Sequence, residues 1–192
     1  RFGSKNVPYY QEQIEYPFLQ YYLNGKGTPI TDSRKVNIFF SGENQWKEFE
    51  SWPDKKAQAV SYYLDEKGTL STNIPNKTIS YSEYVSDPAK TTYARAKEYM
   101  TDDQRFAERR PDVLCFKTET LEQPLTVGGE VEVELEVTVT TTDADFVVKV
   151  IDEFPEDFAY NDQKDGKGSG YRYLMNGYQM LVRGEVMRGR YR

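Results

Sequence analysis

The sequence predicts a mainly β protein built as an antiparallel β-sandwich, and two observations carry the prediction. From Glu130 to Thr140 polar and apolar residues alternate strictly, a pattern typical of a strand with one buried face because successive side chains point to opposite sides. A second apolar run, Phe146–Ile151, follows a short polar turn at Thr141–Asp145. Two long strands joined by a short turn form a central hairpin typical of an antiparallel sheet. The residues expected on the buried face are Val131, Val133, Leu135, Val137 and Val139.

Composition and net charge limit the classes of protein to which this chain can belong. The 192 residues suffice for one domain or one and a half, with a real hydrophobic core. The net charge of −6 argues against a nucleic-acid partner, because phosphate binding needs a basic surface. No signal peptide opens the chain and no apolar run approaches a membrane span, so we expect a soluble protein, cytoplasmic or exported, without a membrane partner. The start at Arg1, without a methionine, predicts a portion of a longer protein.

The side chains that usually carry hydrolytic chemistry are scarce. The absence of histidine excludes a Ser-His-Asp or Cys-His centre and a His-ligated zinc within this chain. A hydrolytic centre would therefore take its base from elsewhere. The single cysteine, Cys115, excludes an internal disulfide, and its apolar neighbours in Val113–Phe116 predict a buried, unreactive thiol.

A helix is predicted at the N-terminal end, from Asn6 to Asn24. Asn6 can cap it, Gly25 supplies a stop, and Pro17 predicts a kink or a break because proline lacks the backbone donor. A helix with so many aromatic residues on one face needs a body to pack against. The apolar residues that recur at every fourth position are Tyr10, Ile14, Phe18 and Tyr22.

The rest of the chain predicts short strands and one long irregular stretch. Asp65–Gly68 is expected to make a hairpin turn, and the section from Asp87 to Pro111 to be irregular, with one helical turn at Ala94–Met100. A loop of that length inside a compact domain is usually functional or an excursion to a neighbouring domain or chain. The further predicted strands are Val36–Ser41, Ala59–Leu64, Ser80–Val85, Val113–Thr118, Tyr178–Val182 and Glu185–Tyr191.

Two acidic clusters invite a functional interpretation. Asp162, Asp165 and Gly166 hint at a calcium loop, but Arg172 stands where the closing glutamate is needed, which favours a plain loop and no metal. A second cluster could supply an acid and a base, as paired carboxylates do in glycosidases, although clustered surface acids are far more often simply solvated. Its members are Asp152, Glu153, Glu156 and Asp157.

Two other groups of residues have a structural and a functional interpretation. Asp143 and Asp145 flank the expected hairpin tip, where turn formation is the default role. Trp46 and Trp52 could stack on sugar rings, but burial within the sandwich is favoured.

Several segments together resemble one family. They are Trp46–Pro53, Tyr84–Lys90, Tyr99–Phe106, Arg110–Leu114, Thr142–Lys149 with Ile151–Asp152, and Val182–Arg188. In combination they resemble the C-terminal region of the X-Pro dipeptidyl-peptidase and cocaine esterase superfamily, which includes the α-amino-acid ester hydrolases and the glutaryl-7-aminocephalosporanic-acid acylases. Tyr99–Phe106 and Asp143–Lys149 are the most specific segments.

The resemblance implies a division of the chain. Members of the family are serine hydrolases with an α/β-hydrolase domain and a C-terminal jelly-roll sandwich of the galactose-binding-like type. Residues 1–35 resemble the last helix of the hydrolase domain plus a linker, and residues 36–192 resemble the jelly roll. Since the family continues with further strands, the resemblance also predicts an incomplete sandwich.

The resemblance implies that this chain is a non-catalytic part of a hydrolase. It would carry no catalytic residues and bind no cofactor. The parent would cleave ester or amide bonds of small acyl or peptide substrates through an acyl-enzyme, and the chain would brace the hydrolase domain and contribute oligomer contacts. Tyr93, Tyr99 and Met100 are the residues expected to wall the acyl pocket. The alternative is an independent jelly-roll module that binds carbohydrate or another protein.

Overall fold

The computed structural model describes residues 6–28, 36–76, 80–87, 89, 102–158 and 175–190. These residues are β-rich, with six strands arranged as three separate two-stranded antiparallel sheets and a few short helices. The mainly β class is therefore confirmed. The chain divides into two compact units, the first with the described parts of 1–59 and 125–133, the second with those of 60–124, 134–164 and 168–190.

The predicted N-terminal helix is present as one continuous helical run in the first unit. It consists of α1 (Asn6–Tyr9), a π-helical turn (Tyr10–Glu15) and α2 (Tyr16–Asn24). The backbone N–H of Tyr16 donates to the carbonyl of Gln11, five residues back. The interruption expected at Pro17 is therefore a π-helical turn just before the proline, in which hydrogen bonds span five residues instead of four. In a regular α-helix the ring of Pro17 would clash with the preceding turn.

Gly25 ends the helix as the sequence predicts. Its φ of 62° is left-handed, and its N–H donates to the carbonyl of Tyr21 at 3.0 Å while Lys26 N–H donates to that of Gln20 at 3.1 Å. These two bonds satisfy carbonyls that a helix end otherwise leaves unpaired. None of the described helices is long and apolar enough to cross a membrane.

The helix finds part of its packing surface on a hairpin of the first unit. Strands β1 (Val36–Phe40) and β2 (Gln45–Phe49) pair through a turn that contains left-handed Asn44, so the strand predicted at Val36–Ser41 is confirmed. The ring of Trp46 on β2 stacks on Tyr9 at 5.7 Å and on Tyr10 at 6.2 Å between centroids. The far end of the helix stays open, since Leu23 is 74% exposed.

A small hairpin begins the second unit. Strands β3 (Tyr63–Leu64) and β4 (Leu70–Ser71) flank the turn Asp65–Gly68, which confirms the predicted turn although the strand before it is much shorter than predicted. Lys117 joins the turn by exchanging backbone hydrogen bonds with Gly68 and Leu70, both 2.8 Å. The strand predicted at Val113–Thr118 is reduced to this one bridge. The strand predicted at Ser80–Val85 is wrong, because no strand forms there.

The long sheet of the second unit contradicts the predicted central hairpin. Strand β5 (Asp143–Glu153) pairs with β6 (Gln179–Arg190), in a register from Asp143 opposite Arg190 to Glu153 opposite Gln179. The two last predicted strands are one continuous strand, and β5 begins inside the predicted turn. A hairpin partner is fixed by long-range hydrogen bonding, which local alternation does not encode.

The alternating segment that was expected to be the first arm of that hairpin is uncovered. Residues 131–139 form no strand, and Val131 and Val137 are 49% and 54% exposed. The prediction that its apolar face is buried is wrong for the described structure, because no described layer packs on that face. The alternation shows only that this segment could bury one face if it formed a strand. Burial also requires another layer of structure that packs against that face.

We predict that Gly25→Ala destabilises the helix end. A Cβ meets no atom within 4 Å at this position, so the cost arises from the left-handed backbone alone and should be about 1 kcal/mol. The free energy of unfolding from urea denaturation measures it. Gly42→Ala is the matched control, since its Cβ also meets nothing within 4 Å and its φ is not left-handed. Equal effects of the two substitutions would contradict the prediction.

Candidate functional site

The most enclosed polar residues of the described structure form a network in the second unit. Gln104 is 0% exposed and Gln179 is 4% exposed. The N–H of Gln104 donates to the carbonyl of Gln179 at 3.0 Å, and its side-chain Nε2 donates to the carbonyl of Asp102 at 2.8 Å. Its Oε1 accepts a hydrogen bond from Lys149 Nζ at 2.8 Å. Gln104 is thereby bonded through its backbone to β6 and through its side chain to β5.

Asp103 shapes the chain next to this glutamine. Its Oδ1 accepts hydrogen bonds from the N–H groups of Arg105, at 3.1 Å, and Gln179, at 3.3 Å, while its Oδ2 accepts from Arg105 Nε at 2.7 Å. Burial alone would raise the pKa of Asp103, but these hydrogen bonds outweigh it and lower the pKa. The carboxylate holds the entry to the short helix α3 (Arg105–Glu108) and ties it to the start of β6.

The opposite side of Gln179 faces a cluster of charged groups. Its Nε2 donates to carboxylate oxygens of both Glu108 and Glu153. Lys117 Nζ lies 2.7 Å from Glu108 Oε1 and 2.8 Å from Glu153 Oε2. The hydrogen bond from Lys117 lowers the pKa of Glu108. Burial tends to lower the pKa of Lys117, but its bonds to the two carboxylates raise it overall.

The properties of this network fit a structural role better than a catalytic one. A carboxylate whose pKa is lowered by an ammonium partner is a weak base, so Glu108 is poorly suited to abstract a proton at neutral pH. The residues that the structure describes contain no cluster of side chains suited to hold a metal ion. What the network does is fasten α3 and the turn at Lys117 to the ends of β5 and β6.

The pocket-wall residues predicted from the sequence, Tyr93, Tyr99 and Met100, lie outside the described residues, as do the helical turn predicted around them and the calcium-loop residues. Described structure resumes at Asp102, two residues before Gln104. The network is therefore built on the last part of the segment that carries the predicted wall.

Sequence reasoning singled out Glu153 only as a member of an acidic cluster and missed the other polar residues of this network. The available signal was Lys149, a cation within the otherwise apolar run of β5. Its hydrogen bond to Gln104 joins the two segments, Tyr99–Phe106 and Asp143–Lys149, that are most specific in the resemblance. The pairing needed the fold, because 45 positions separate the two residues.

The structure overturns the expected role of Asp143 and Asp145 and decides against the acid–base interpretation of Asp152 and Glu153. Asp143 and Asp145 lie in strand β5 rather than at a hairpin tip, so the turn prediction is wrong, and Asp145 Oδ1 accepts a hydrogen bond from Arg188 Nε at 2.7 Å. Asp152 and Glu153 are adjacent in the same strand, where neighbouring side chains point to opposite faces. They are therefore not placed as an acid–base pair.

Burial was predicted for Cys115 and for the two tryptophans, and the structure bears it out only in part. Cys115 is exposed, so its predicted burial is wrong, because the run around it forms no strand that could turn one side inward. Partial burial, followed by the charge of Glu108, raises the pKa of the thiol. Trp46 is half-buried in its aromatic contacts, whereas Trp52 is 37% exposed and meets Phe49 edge-on at 5.4 Å.

The described residues thus define a β-rich chain in which the most buried polar groups, Gln104 and Gln179, tie the elements of the second unit together. The particular family follows from comparison with known proteins. The chain belongs to the X-Pro dipeptidyl-peptidase C-terminal non-catalytic domain family, whose sequence model matches residues 16–189. The resemblance read from the sequence is confirmed.

Individual relatives support the same placement. Cocaine esterase of Rhodococcus sp. (strain MB1 Bresler) is 30% identical over 154 residues, 72% of this chain and 27% of the esterase. A Mycobacterium bovis protein named provisionally as a serine esterase is 29% identical over 147 residues, 72% of this chain and 23% of that protein. The crystal structure of an aminopeptidase from a marine-sediment Thaumarchaeota archaeon matches with a TM-score of 0.71 and 29% identity, over 95% of this chain and 30% of that one. The chain thus spans less than a third of each relative.

We predict that Lys149→Met lowers the free energy of unfolding by about 1–3 kcal/mol, because it removes a donor to the fully buried Gln104. Denaturant unfolding measures the change. Lys47→Met is the matched control: Lys47 lies over the ring of Phe40 at 4.8 Å, as Lys149 lies over Phe106 at 5.1 Å, but its hydrogen-bond partner Glu43 is exposed. The control should cost less than about 1 kcal/mol. Equal losses would show that the burial of Gln104 does not matter.

We predict a weaker acid dependence of stability in Glu108→Gln. Because the folded-state pKa of Glu108 is lowered, its contribution is complete above the ordinary glutamate pKa and is lost as the pH falls through the lowered value. The wild-type free energy of unfolding should therefore fall more steeply below about pH 5 than that of the variant. Urea denaturation across this range measures the slopes. The exposed Glu130→Gln controls for the loss of one charge, and a wild-type slope in Glu108→Gln would refute the account.

Proposed function

We propose that this chain is the non-catalytic C-terminal part of a serine hydrolase that cleaves ester or amide bonds through an acyl-enzyme. The family to which it belongs is non-catalytic, and its relatives include an esterase and an aminopeptidase, enzymes of the two bond types. In the parent, a serine would attack the carbonyl carbon, a histidine would move the proton to the leaving group, and water would then release the acyl group. With no histidine in this chain, the base would come from the hydrolase domain.

The proposal assigns residues 1–35 to the last helix of the α/β-hydrolase domain with its linker, and residues 36–192 to a jelly-roll sandwich of the galactose-binding-like type. The open end of α2 supports the first assignment. The rings of Phe18 and Tyr22 meet at a tilt, with centroids 4.6 Å apart, and the two residues remain 49% and 57% exposed, a surface that a hydrolase domain would cover. The exposed Val and Leu side chains of residues 131–137 are likewise consistent with a sandwich that needs a further layer.

The role we propose for the sandwich is to brace the enzyme and to wall the pocket for the acyl group through Tyr93, Tyr99 and Met100. The single observation that carries this role is the complete burial of Gln104, held by both β5 and β6. A pocket wall must be held in place by packed and hydrogen-bonded neighbours to discriminate between substrates. Of the proposed wall residues, Tyr99 and Met100 precede Gln104 by five and four positions in the sequence, and Tyr93 by eleven.

The alternative function is an independent module that binds carbohydrate. The observation in its favour is the exposure of aromatic rings, since Tyr81 is 79% exposed and Trp52 is 37% exposed, and open rings can stack on sugars. A glycan array probed with the isolated chain, together with an assay on a chromogenic ester, separates the two. We expect neither glycan binding nor turnover. Specific glycan binding would favour the module, and turnover would overturn the non-catalytic assignment.

We predict that Tyr99→Ala in the complete enzyme changes the selectivity for the acyl group. Loss of a large ring from a pocket wall should raise KM for bulky acyl substrates by roughly 10-fold or more. Steady-state kinetics on esters that differ only in the acyl group measure the effect. Tyr81→Ala is the control, because it removes the same ring from an exposed position. Unchanged kinetics on several acyl groups would remove Tyr99 from the wall.

A further inference from the structure

We propose that Asn176 is a site of spontaneous covalent modification, at which its side chain cyclises with the backbone nitrogen of Gly177. The sequence contains two Asn-Gly pairs, Asn24-Gly25 and Asn176-Gly177. Because glycine has no Cβ, its nitrogen can approach the side chain of a preceding asparagine more closely than the nitrogen of another residue can. The site lies in a turn before β6 and is independent of the proposed function.

The reaction needs only water besides the chain itself. The nitrogen of Gly177 attacks Cγ of Asn176 and gives up its proton to a base in the solvent. The new N–Cγ bond forms and the Cγ–Nδ2 bond breaks, which releases ammonia and leaves a succinimide. Water then opens this ring at one of its carbonyls and yields aspartate or isoaspartate. The net change replaces NH2 by OH, so no oxidant or reductant takes part.

The surroundings of Asn176 favour the reaction there over the same reaction at Asn24. Asn24 is the last residue of α2, and its Nδ2 donates a hydrogen bond to Gln20 Oε1 at 3.2 Å. Asn176 is exposed and lies in a turn, where its side-chain amide has no hydrogen-bond partner among the described residues. The amide of Asn176 can therefore turn towards the nitrogen of Gly177 without first breaking a contact.

The backbone nitrogens of the two glycines do not by themselves separate the sites. Gly177 N–H donates to the carbonyl of Pro155 at 3.1 Å, and Gly25 N–H donates to that of Tyr21 at 3.0 Å. Each of these bonds must open before the nitrogen can attack. At Asn24, however, the side-chain hydrogen bond and the helical backbone must be given up as well, which makes the reaction slower there.

The fold itself requires the glycine of the reactive pair. Gly177 has a left-handed φ of 61°, and a Cβ built on it would lie 2.7 Å from Glu156 Oε1. Another residue would therefore be strained at this position for two reasons. The structure thus keeps, directly after Asn176, the residue type whose nitrogen reacts most readily.

Modification would loosen the start of β6. Isoaspartate lengthens the main chain by one methylene, and either product adds a negative charge next to Gly177, against which the carboxylate of Glu156 already lies. The turn carries the hydrogen bond from Tyr178 N–H to the carbonyl of Met175 at 3.1 Å. It also directly precedes Gln179, which is bonded to the charged cluster. We therefore expect the modified protein to be less stable.

The experiment ages the intact protein at alkaline pH and follows both Asn-Gly pairs by mass spectrometry of proteolytic peptides. The readout is the mass difference between NH2 and OH, with isoaspartate identified by an isoaspartyl methyltransferase. We expect Asn176 to react about 5-fold faster than Asn24, a factor that corresponds to about 1 kcal/mol, the net contribution of one hydrogen bond. An equal or faster reaction at Asn24 would contradict the assignment.

Two matched substitutions test the site. Asn176→Gln should abolish the reaction at this position, because the longer side chain would have to close a less favourable six-membered ring. Asn24→Gln should leave the rate at Asn176 as in the wild-type protein. A short reference peptide with the sequence around Asn176 shows the rate without the fold. If the peptide reacts and Asn176 in the folded protein does not, the site is refuted.

The effect on stability is measured separately by urea denaturation of aged samples. The free energy of unfolding should fall with time in the wild-type protein and stay constant in Asn176→Gln. If both proteins lose stability equally, or if Asn176 is modified without any loss, the expected effect on the start of β6 is wrong. Asn176 is exposed, so its replacement by glutamine should not hinder folding.

Discussion

The hydrogen bond from Lys149 to Gln104 is the contact on which the described part of the second unit depends. It joins the middle of β5 to the segment that enters α3, and Gln104 passes the connection on to β6 through its backbone. Buried amides are costly when a donor or acceptor is left without a partner, so these bonds are retained only if all elements keep their places. One contact thereby couples three elements that are distant in sequence.

The charged cluster of Lys117, Glu108 and Glu153 lies next to this contact and links the small hairpin of β3 and β4 to the same elements. Lys117 exchanges backbone bonds with the turn between β3 and β4, while its ammonium lies between the carboxylates of Glu108 and Glu153. Because these groups are only partly exposed and each charge has an opposite neighbour, the cluster is stable as a unit and loses stability when either sign is neutralised. The polar groups of this network therefore hold its elements together, and the same hydrogen bonds lower the pKa of Asp103 and Glu108 and raise that of Lys117.

The proposed function implies that chemistry and selectivity are divided between two domains. The chain has no histidine, and the family to which it belongs is described as non-catalytic. Under the proposed function, the chemistry resides in a hydrolase domain and selectivity is shared with a rigid β-rich neighbour. Such an arrangement lets the wall of a pocket be altered without change to the reacting groups, because the two are carried by different domains.

The sequence by itself determined the β-rich class, the N-terminal helix with its Gly25 stop, the turn at Asp65–Gly68 and the family, because these depend on local backbone preferences or on residue identity. Tertiary structure decided that β5 pairs with β6 rather than with the alternating segment 131–139, and that Lys149 meets Gln104. Strand partners and buried polar pairs are selected by contacts between residues far apart in the chain, and several partners fit the same local pattern. No periodicity within the sequence distinguishes them, so only the folded chain does.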